Sequence, residues 1–188
     1  MTSRREELLS AAAALFRERG YYGVGMQEIG RAAGIVGSGV YRHFDSKEAM
    51  LVELTDRLLD DLVARARSIR ATGGGAAASL DALIDLHLDF ALDGEGLIAV
   101  YLGEERNLPD ADRRRARRKQ RAYLQEWVEV LRKLQTDLDE REAHLTVQAV
   151  VAMLQSVAWQ RPRLPRGAVE TRLRALARHA FELEAAPA

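Results

Sequence analysis

Ser38, Tyr41 and Arg42 stand beside Val40 and Phe44 in a short helical pattern. On such a helix Val40 and Phe44 turn inward, with Phe16 and Ile29 to pack against, while the serine, tyrosine and arginine stay outside. A hydroxyl, a phenol and a guanidinium on one exposed edge suit hydrogen bonding to phosphate oxygens and base edges. They fall within residues 26–44, where two short helices are broken by Gly34-Ile35-Val36. Helix, glycine-containing turn, helix is the arrangement that lays its second helix into a DNA major groove.

Other chemistries lack their residues. The four histidines, at 43, 87, 144 and 179, show no HExxH or other metal-ligand spacing. The chain has no cysteine, which removes thiolate metal sites, disulfides and cysteine nucleophiles. Serine, histidine and aspartate form no recognisable nucleophile motif. The carboxylate pairs Asp60-Asp61 and Glu104-Glu105 are helix neighbours that point to different faces. No enzymatic activity, no metal and no cofactor are therefore expected. The densest charge is Arg113-Arg114-Arg115-Ala116-Arg117-Arg118-Lys119-Gln120-Arg121, seven basic residues in nine. On a helix these charges point around the whole circumference, so the plain reading is a solvated helix paired with acids such as Glu104, Glu105 and Asp112. The sharper reading is attraction of an anionic ligand, for example the phosphates of an acyl-coenzyme A.

The elements that must hold these groups are helical almost throughout. Of 188 residues, 47% are hydrophobic and 30% charged, enough for a core and unlike a disordered chain. The spacing predicts nine helices. The first opens on the capping box Ser3–Glu6, carries Leu8, Ala11, Ala12, Leu15 and Phe16, and ends at Gly20. A second runs from about Met26 to Ala33 and a third from about Gly37 to Phe44. Asp45 and Glu48 predict a capping box for a long fourth helix over 47–70. Residues 72–78 form a glycine- and alanine-rich flexible connector, after which Ser79 is expected to cap a fifth helix. A short sixth carries Leu97, Ile98, Val100 and Tyr101, and Pro109 suits the entry to a seventh. The eighth, from about Glu140 to Gln160, is apolar or small on both faces and is expected to be buried on several sides. A ninth continues to about Glu184. No apolar run reaches the roughly 18 residues of a membrane span, and Met1 to Glu7 leads into a helix rather than a signal peptide. A cytoplasmic protein without a membrane partner is expected.

The whole string from Glu6 to Leu51 is more specific than the helix-turn-helix spacing. Glu6-Glu7-Leu8-Leu9-Ser10-Ala11-Ala12-Ala13-Ala14-Leu15-Phe16-Arg17-Glu18-Arg19-Gly20-Tyr21 resembles the first helix of the tetracycline-repressor-like (TetR) family of transcriptional regulators. Met26-Gln27-Glu28-Ile29-Gly30-Arg31-Ala32-Ala33-Gly34-Ile35 is similar to that family's second helix and turn. Val40-Tyr41-Arg42-His43-Phe44-Asp45-Ser46-Lys47-Glu48-Ala49-Met50-Leu51 is similar to its most recognisable segment. The resemblance implies an all-α homodimer. It implies a three-helix DNA-binding module with the helix-turn-helix at 1–46, and a helical ligand-binding and dimerisation domain at 47–188, joined through the helix 47–70. Its partners would be a near-palindromic double-stranded DNA operator and a small-molecule effector of unknown identity whose binding lowers DNA affinity. The implied DNA contacts are Gln27 on the second helix, Gly37, Ser38 and Arg42 on the recognition helix, Tyr41 and His43 at phosphates, and Lys47 at the start of the fourth helix.

Three departures bear on those contacts. Gly25 and Val36 stand where the family favours capping hydroxyls, and a lost cap costs roughly 1 kcal/mol. Gly39 stands where threonine or alanine is frequent, and each interior glycine costs about 1 kcal/mol relative to alanine. Few side-chain base contacts are therefore expected, from a recognition helix ordered partly by DNA. Residues 1–50 carry seven basic and six acidic side chains, so DNA affinity must rest on placed donors rather than on bulk charge.

For the effector, His87, Phe90, Tyr101, Tyr123, Trp127, Met153 and Trp159 are the large groups available to line a mostly apolar cavity among the fifth to eighth helices. A plain core role is the competing reading, for His87 above all. The eighth and ninth helices offer Val147, Ala149, Val150, Leu154, Leu173, Leu176 and Phe181 for a four-helix dimer interface. The alternative functions are a DNA-binding regulator without an effector and an all-helical interaction protein.

Overall fold

A computed structural model describes residues 3–92, 96–158 and 163–183. Its elements are α1 (Arg4–Arg19), α2 (Met26–Ala32), a 3-10 helix (Gly37–Arg42), α3 (Lys47–Ala71), α4 (Ala76–Leu92), α5 (Leu97–Glu104), a 3-10 turn (Glu105–Asn107), α6 (Asp110–Leu134), α7 (Glu140–Gln155), a 3-10 turn (Ser156–Ala158) and α8 (Arg166–Ala180). The all-α class stands, and each of the nine expected helices has a counterpart, with the third in 3-10 form. No helix among the described residues is long and apolar enough to cross a membrane.

Local chemistry explains most helix ends. The Ser3 hydroxyl accepts from the Glu6 amide at 3.2 Å and starts α1. The Glu6 carboxylate turns instead to Arg57, at 2.6 and 2.8 Å. Gly20 takes φ +71° and its amide donates to the Phe16 carbonyl, ending α1 where only glycine is unstrained. At α3 the cap is Ser46 rather than the expected Asp45: its hydroxyl accepts from the Ala49 amide at 3.1 Å. Ser79 caps nothing. It lies inside α4 and its hydroxyl donates back to the Gly75 carbonyl at 2.9 Å, so the connector shortens to residues 72–75. Asp139 caps α7 and pairs reciprocally with Glu142, a true capping box.

By packing, the chain divides into two compact units: residues 1–58 with 93–117, and residues 59–92 with 118–188. The division expected after residue 46 is one of role and follows a different line. In the first unit α1 packs on α2 and on α5. Leu8, Leu9, Ala12 and Phe16 of α1 are buried, as are Ile29, Val40, Phe44, Met50, Leu51, Ile98 and Tyr101. An ionic lattice runs over this core: Arg5 and Arg57 both reach Glu53, and Arg57 also reaches Glu6.

In the second unit α4, α7 and α8 pack on one another. Leu80, Leu83, Ile84, Leu88, Trp127, Val128 and Leu131 form its core. Glu126 is buried there, with its two carboxylate oxygens accepting from Arg67 at 3.2 Å and Arg70 at 2.6 Å. Within the single chain α7 is buried along one side. Val147, Val150 and Leu154 face inward, but Leu145 is 68% exposed and Ala149 and Ala152 lie open.

Candidate nucleic-acid interface

The candidate reading surface is a strip from Gly25 to Lys47. Gly25 supplies no side-chain cap to α2, and Glu28 compensates: one carboxylate oxygen accepts from the Gly25 amide at 2.9 Å and the other from Arg19 at 2.9 Å. The amide bond first and the Arg19 guanidinium second hold the Glu28 carboxyl below the usual range. Gly34 ends α2 at φ +69°, and the Ile35 amide closes back on the Gly30 carbonyl at 2.7 Å. That closure leaves no space at position 30, where a Cβ would stand 3.2 Å from the Ile35 carbonyl and 3.5 Å from Val40. A Cβ inside α2 at this position would push the Ile35 carbonyl aside by a few tenths of an ångström, so glycine suits the close turn.

The recognition segment follows as the 3-10 helix, uncapped at Val36. Two side chains hold it: Val40 and Phe44 are buried, each contributing roughly 1.5–3 kcal/mol. That exceeds the roughly 1 kcal/mol of a missing cap and matches the two glycines. The short 3-10 form is what three weak helix formers in a row, Gly37-Ser38-Gly39, support. The Arg5 guanidinium stacks over the Phe44 ring at 4.0 Å and donates to the His43 carbonyl, clamping the end of the segment.

The anchored segment presents Ser38, Tyr41 and Arg42 to solvent, with Tyr41 51% exposed. Gln27 is exposed on α2, and Gly37 supplies backbone alone. His43 is half-buried beneath them. Lys47 points inward: its ammonium donates to the carbonyls of Tyr21 at 2.7 Å and Val24 at 3.0 Å and lies 4.3 Å from the Tyr21 ring centroid. Two exposed side chains escaped the sequence reading. Val36 is 92% exposed and Tyr22 is 79% exposed, its ring edge-on to Tyr21. Apolar and aromatic types read as core, and only their placement on the outside of the turns separates them from it.

The residues expected at an effector are only partly brought together. His87 Nδ1 meets the Tyr123 hydroxyl at 3.1 Å, and the Trp127 ring stands edge-on to both, with centroids 6.3 and 6.0 Å away. All three are buried. His87 Nε2 and Trp127 Nε1 reach no hydrogen-bond partner among the described residues. Burial pushes the His87 imidazole down to about 4 and raises the Tyr123 phenol, so both are neutral near pH 7. Phe90 and Met153 are half-buried in the same unit, with the Arg65 guanidinium 5.3 Å from the Phe90 ring centroid. Tyr101 belongs to the other unit, where burial raises its phenol to about 12. Trp159 lies outside the described residues. Of the residues expected at a dimer interface, Val147, Val150, Leu154 and Phe181 are buried within the chain itself. Leu173 is half-buried, and Ala149 and Leu176 are exposed.

The basic run is largely paired within the chain. Arg113 meets Asp110, Arg115 meets Asp56 and Asp112, Arg117 meets Glu105 at 2.7 Å, and Lys119 meets Asp60 at 2.8 Å. Arg114, Arg118 and Arg121 are exposed and pair with no described residue. Glu104 pairs with none of the run; it accepts from the Tyr21 amide at 2.9 Å and from Asn107 at 2.6 Å.

Comparison with known proteins supplies the context for this geometry. Residues 8–54 match the family described as bacterial regulatory proteins, tetR family, and residues 73–180 match the tetracyclin repressor-like C-terminal domain. The HTH-type transcriptional repressor KstR2 of Rhodococcus jostii is 39% identical over 107 residues, 57% of this chain and about half (52%) of that protein. KstR2 of Mycobacterium tuberculosis is 32% identical over 174 residues, 88% of this chain and 85% of the relative. The solved structure of that ketosteroid transcriptional regulator superposes with a TM-score of 0.80 at 29% identity, covering 94% of each chain. AibR, solved with isovaleryl coenzyme A and operator DNA, shares the fold with a TM-score of 0.78 at 19% identity over 93% of this chain and 97% of its own.

Proposed function

Since the chain belongs to the TetR family of bacterial regulatory proteins, we propose that it is a ligand-responsive transcriptional repressor that binds a near-palindromic operator as a homodimer. The observation that carries this reading is the edge Ser38, Tyr41 and Arg42, exposed on a segment pinned from behind by Val40 and Phe44. Hydroxyl, phenol and guanidinium on a ledge anchored from behind donate to phosphates and base edges, and Gln27 extends the ledge along α2. The repressor names of the two KstR2 relatives support the sign of regulation.

The dimer would form through α7 and α8, which leave Leu145, Ala149, Ala152 and Leu176 open in the single chain. Two readers must then meet half-sites about 34 Å apart, one helical turn of DNA. A ligand that favours another setting of α3 would move them out of register. The effector is mostly apolar with a polar group. Its contacts would be made by His87, Tyr123 and Trp127; His87 Nε2 and Trp127 Nε1, which reach no partner among the described residues, are costly to leave dry and selective once satisfied. A ketosteroid regulator among the relatives and the isovaleryl coenzyme A complex of AibR agree with such a molecule, an acyl-coenzyme A or similar.

Selection of duplexes from a random pool, followed by sequencing, tests the reading. A near-palindromic motif with half-sites one turn apart is the expected result. Failure of the parent protein to retain any duplex overturns it.

A further inference from the structure

The first unit contains a solvent-open cavity of about 480 Å³ lined by Leu102, Gly103, Glu105, Arg106, Arg113 and Arg117. We propose that this cavity is a binding site for a phosphorylated small molecule of the diphosphate class, and that its occupancy is felt by the DNA-reading segment of the same unit. Three arginines against one carboxylate line a space large enough for a nucleotide-sized group. Planar guanidinium forks match phosphate oxygens two at a time.

Arg106 is exposed and makes no ion pair or hydrogen bond with a described residue. Arg117 is held at 2.7 Å by Glu105, and both partners are partly exposed, so the pair is weak and exchangeable. Arg113, at the start of α6, is held through its two terminal nitrogens by the Leu108 carbonyl at 3.3 Å and by Asp110, whose side chain is exposed, so this pair too can exchange for a phosphate. An entering diphosphate would take Arg106 outright and displace Glu105 from Arg117.

The wall of the cavity is wired to the reader. Glu104, one residue before Glu105, accepts from the Tyr21 amide at 2.9 Å. The carbonyl of the same Tyr21 accepts from Lys47 at 2.7 Å, at the head of α3. Freeing Glu105 at the first residue of the 105–107 turn therefore acts one residue from a bond that positions the loop between α1 and α2. This coupling rests on the DNA-reading function proposed above; the binding itself does not.

Titration calorimetry of the full chain with inorganic pyrophosphate and with ADP, against sulfate at matched ionic strength, tests the site. Saturable binding is expected, at least tenfold weaker in Arg106→Ala and severalfold tighter in Glu105→Gln, which removes the competing carboxylate. Arg106→Ala gives up no internal bond and should fold as the parent does. No saturable binding, or equal affinity in parent and Arg106→Ala, overturns the proposal. Displacement of pyrophosphate by duplexes of any sequence in Glu104→Gln, where the coupling is cut, also overturns it, in favour of a DNA-backbone contact. The coupling predicts that pyrophosphate changes duplex affinity in the parent and not in Glu104→Gln. Pyrophosphate binding without that change overturns the coupling alone, and absence of all duplex binding fails the DNA reading while leaving the calorimetry to stand.

Discussion

The Lys47 ammonium donates to the Tyr21 carbonyl at 2.7 Å, tying the head of α3 to the loop that follows α1. A second bond to the Val24 carbonyl at 3.0 Å makes the lysine a clasp on residues 21–24. A lysine expected at phosphate is thus built into the frame that sets the height of α2. Charge-assisted bonds of this kind contribute roughly 1.5–3 kcal/mol when buried, and half-burial reduces that to about 1–2 kcal/mol. Lys47→Met should lower the urea midpoint accordingly and weaken duplex binding. An unchanged midpoint would show that the clasp carries no stability.

Tyr41 behaves differently because its hydroxyl has no hydrogen-bond partner among the described residues. At 51% exposure, Tyr41→Phe should leave stability within about 0.5 kcal/mol of the parent. Loss of one phosphate hydrogen bond should weaken duplex binding by about 1 kcal/mol, roughly fivefold. Binding titrations at fixed salt measure this, and equal affinities would remove Tyr41 from the interface.

Gly39 invites a helix-stabilising alanine, and the packing forbids it. A Cβ there would stand 2.8 Å from Ile35 Cγ2, an atom fixed close to its own backbone. Gly39→Ala should therefore lower the melting temperature despite the propensity gain of about 1 kcal/mol. In the parent, amides 37–42 should exchange within seconds and gain protection when DNA binds. Strong protection without DNA would contradict a segment ordered partly by its target.

Burial holds His87 at about 4 against an ordinary value near 6.5. The unfolded chain takes up this proton below pH 6.5 and the folded chain only near pH 4. Stability present above pH 6.5 is therefore lost as pH falls from 6.5 to 4 and levels off beneath it. A shift of this size corresponds to roughly 3 kcal/mol. Melting temperatures of the parent and of His87→Gln, followed from pH 8 to 4, should converge as the pH falls, because the glutamine lacks this penalty. Parallel curves would mean that the imidazole is not kept neutral by its surroundings.

The helices, their order and the reading motif were legible in the sequence. Apolar spacing at three and four, and the string from Glu6 to Leu51, are local signals that the folded chain reproduces. Cap identity was less legible. Ser46 replaces Asp45, and Ser79 lies inside a helix, because adjacent polar residues compete for one amide and only the path of the backbone decides between them. The effector residues were least legible. His87, Tyr123 and Trp127 come together across 41 residues, from 87 to 127, while Tyr101, between them in sequence, goes to the other unit.

By itself the sequence determined the class of fold, the family and which side chains stand on the outer edge of the 3-10 segment, since each depends on residues a few positions apart. Tertiary structure decided what those side chains touch. It turned Lys47 inward, clamped Phe44 under Arg5, and buried four of the seven residues expected at the dimer interface within the chain itself. Helical periodicity says which residues share a face, but whether that face meets the same chain, a second copy or solvent depends on long-range packing that no short window of sequence contains.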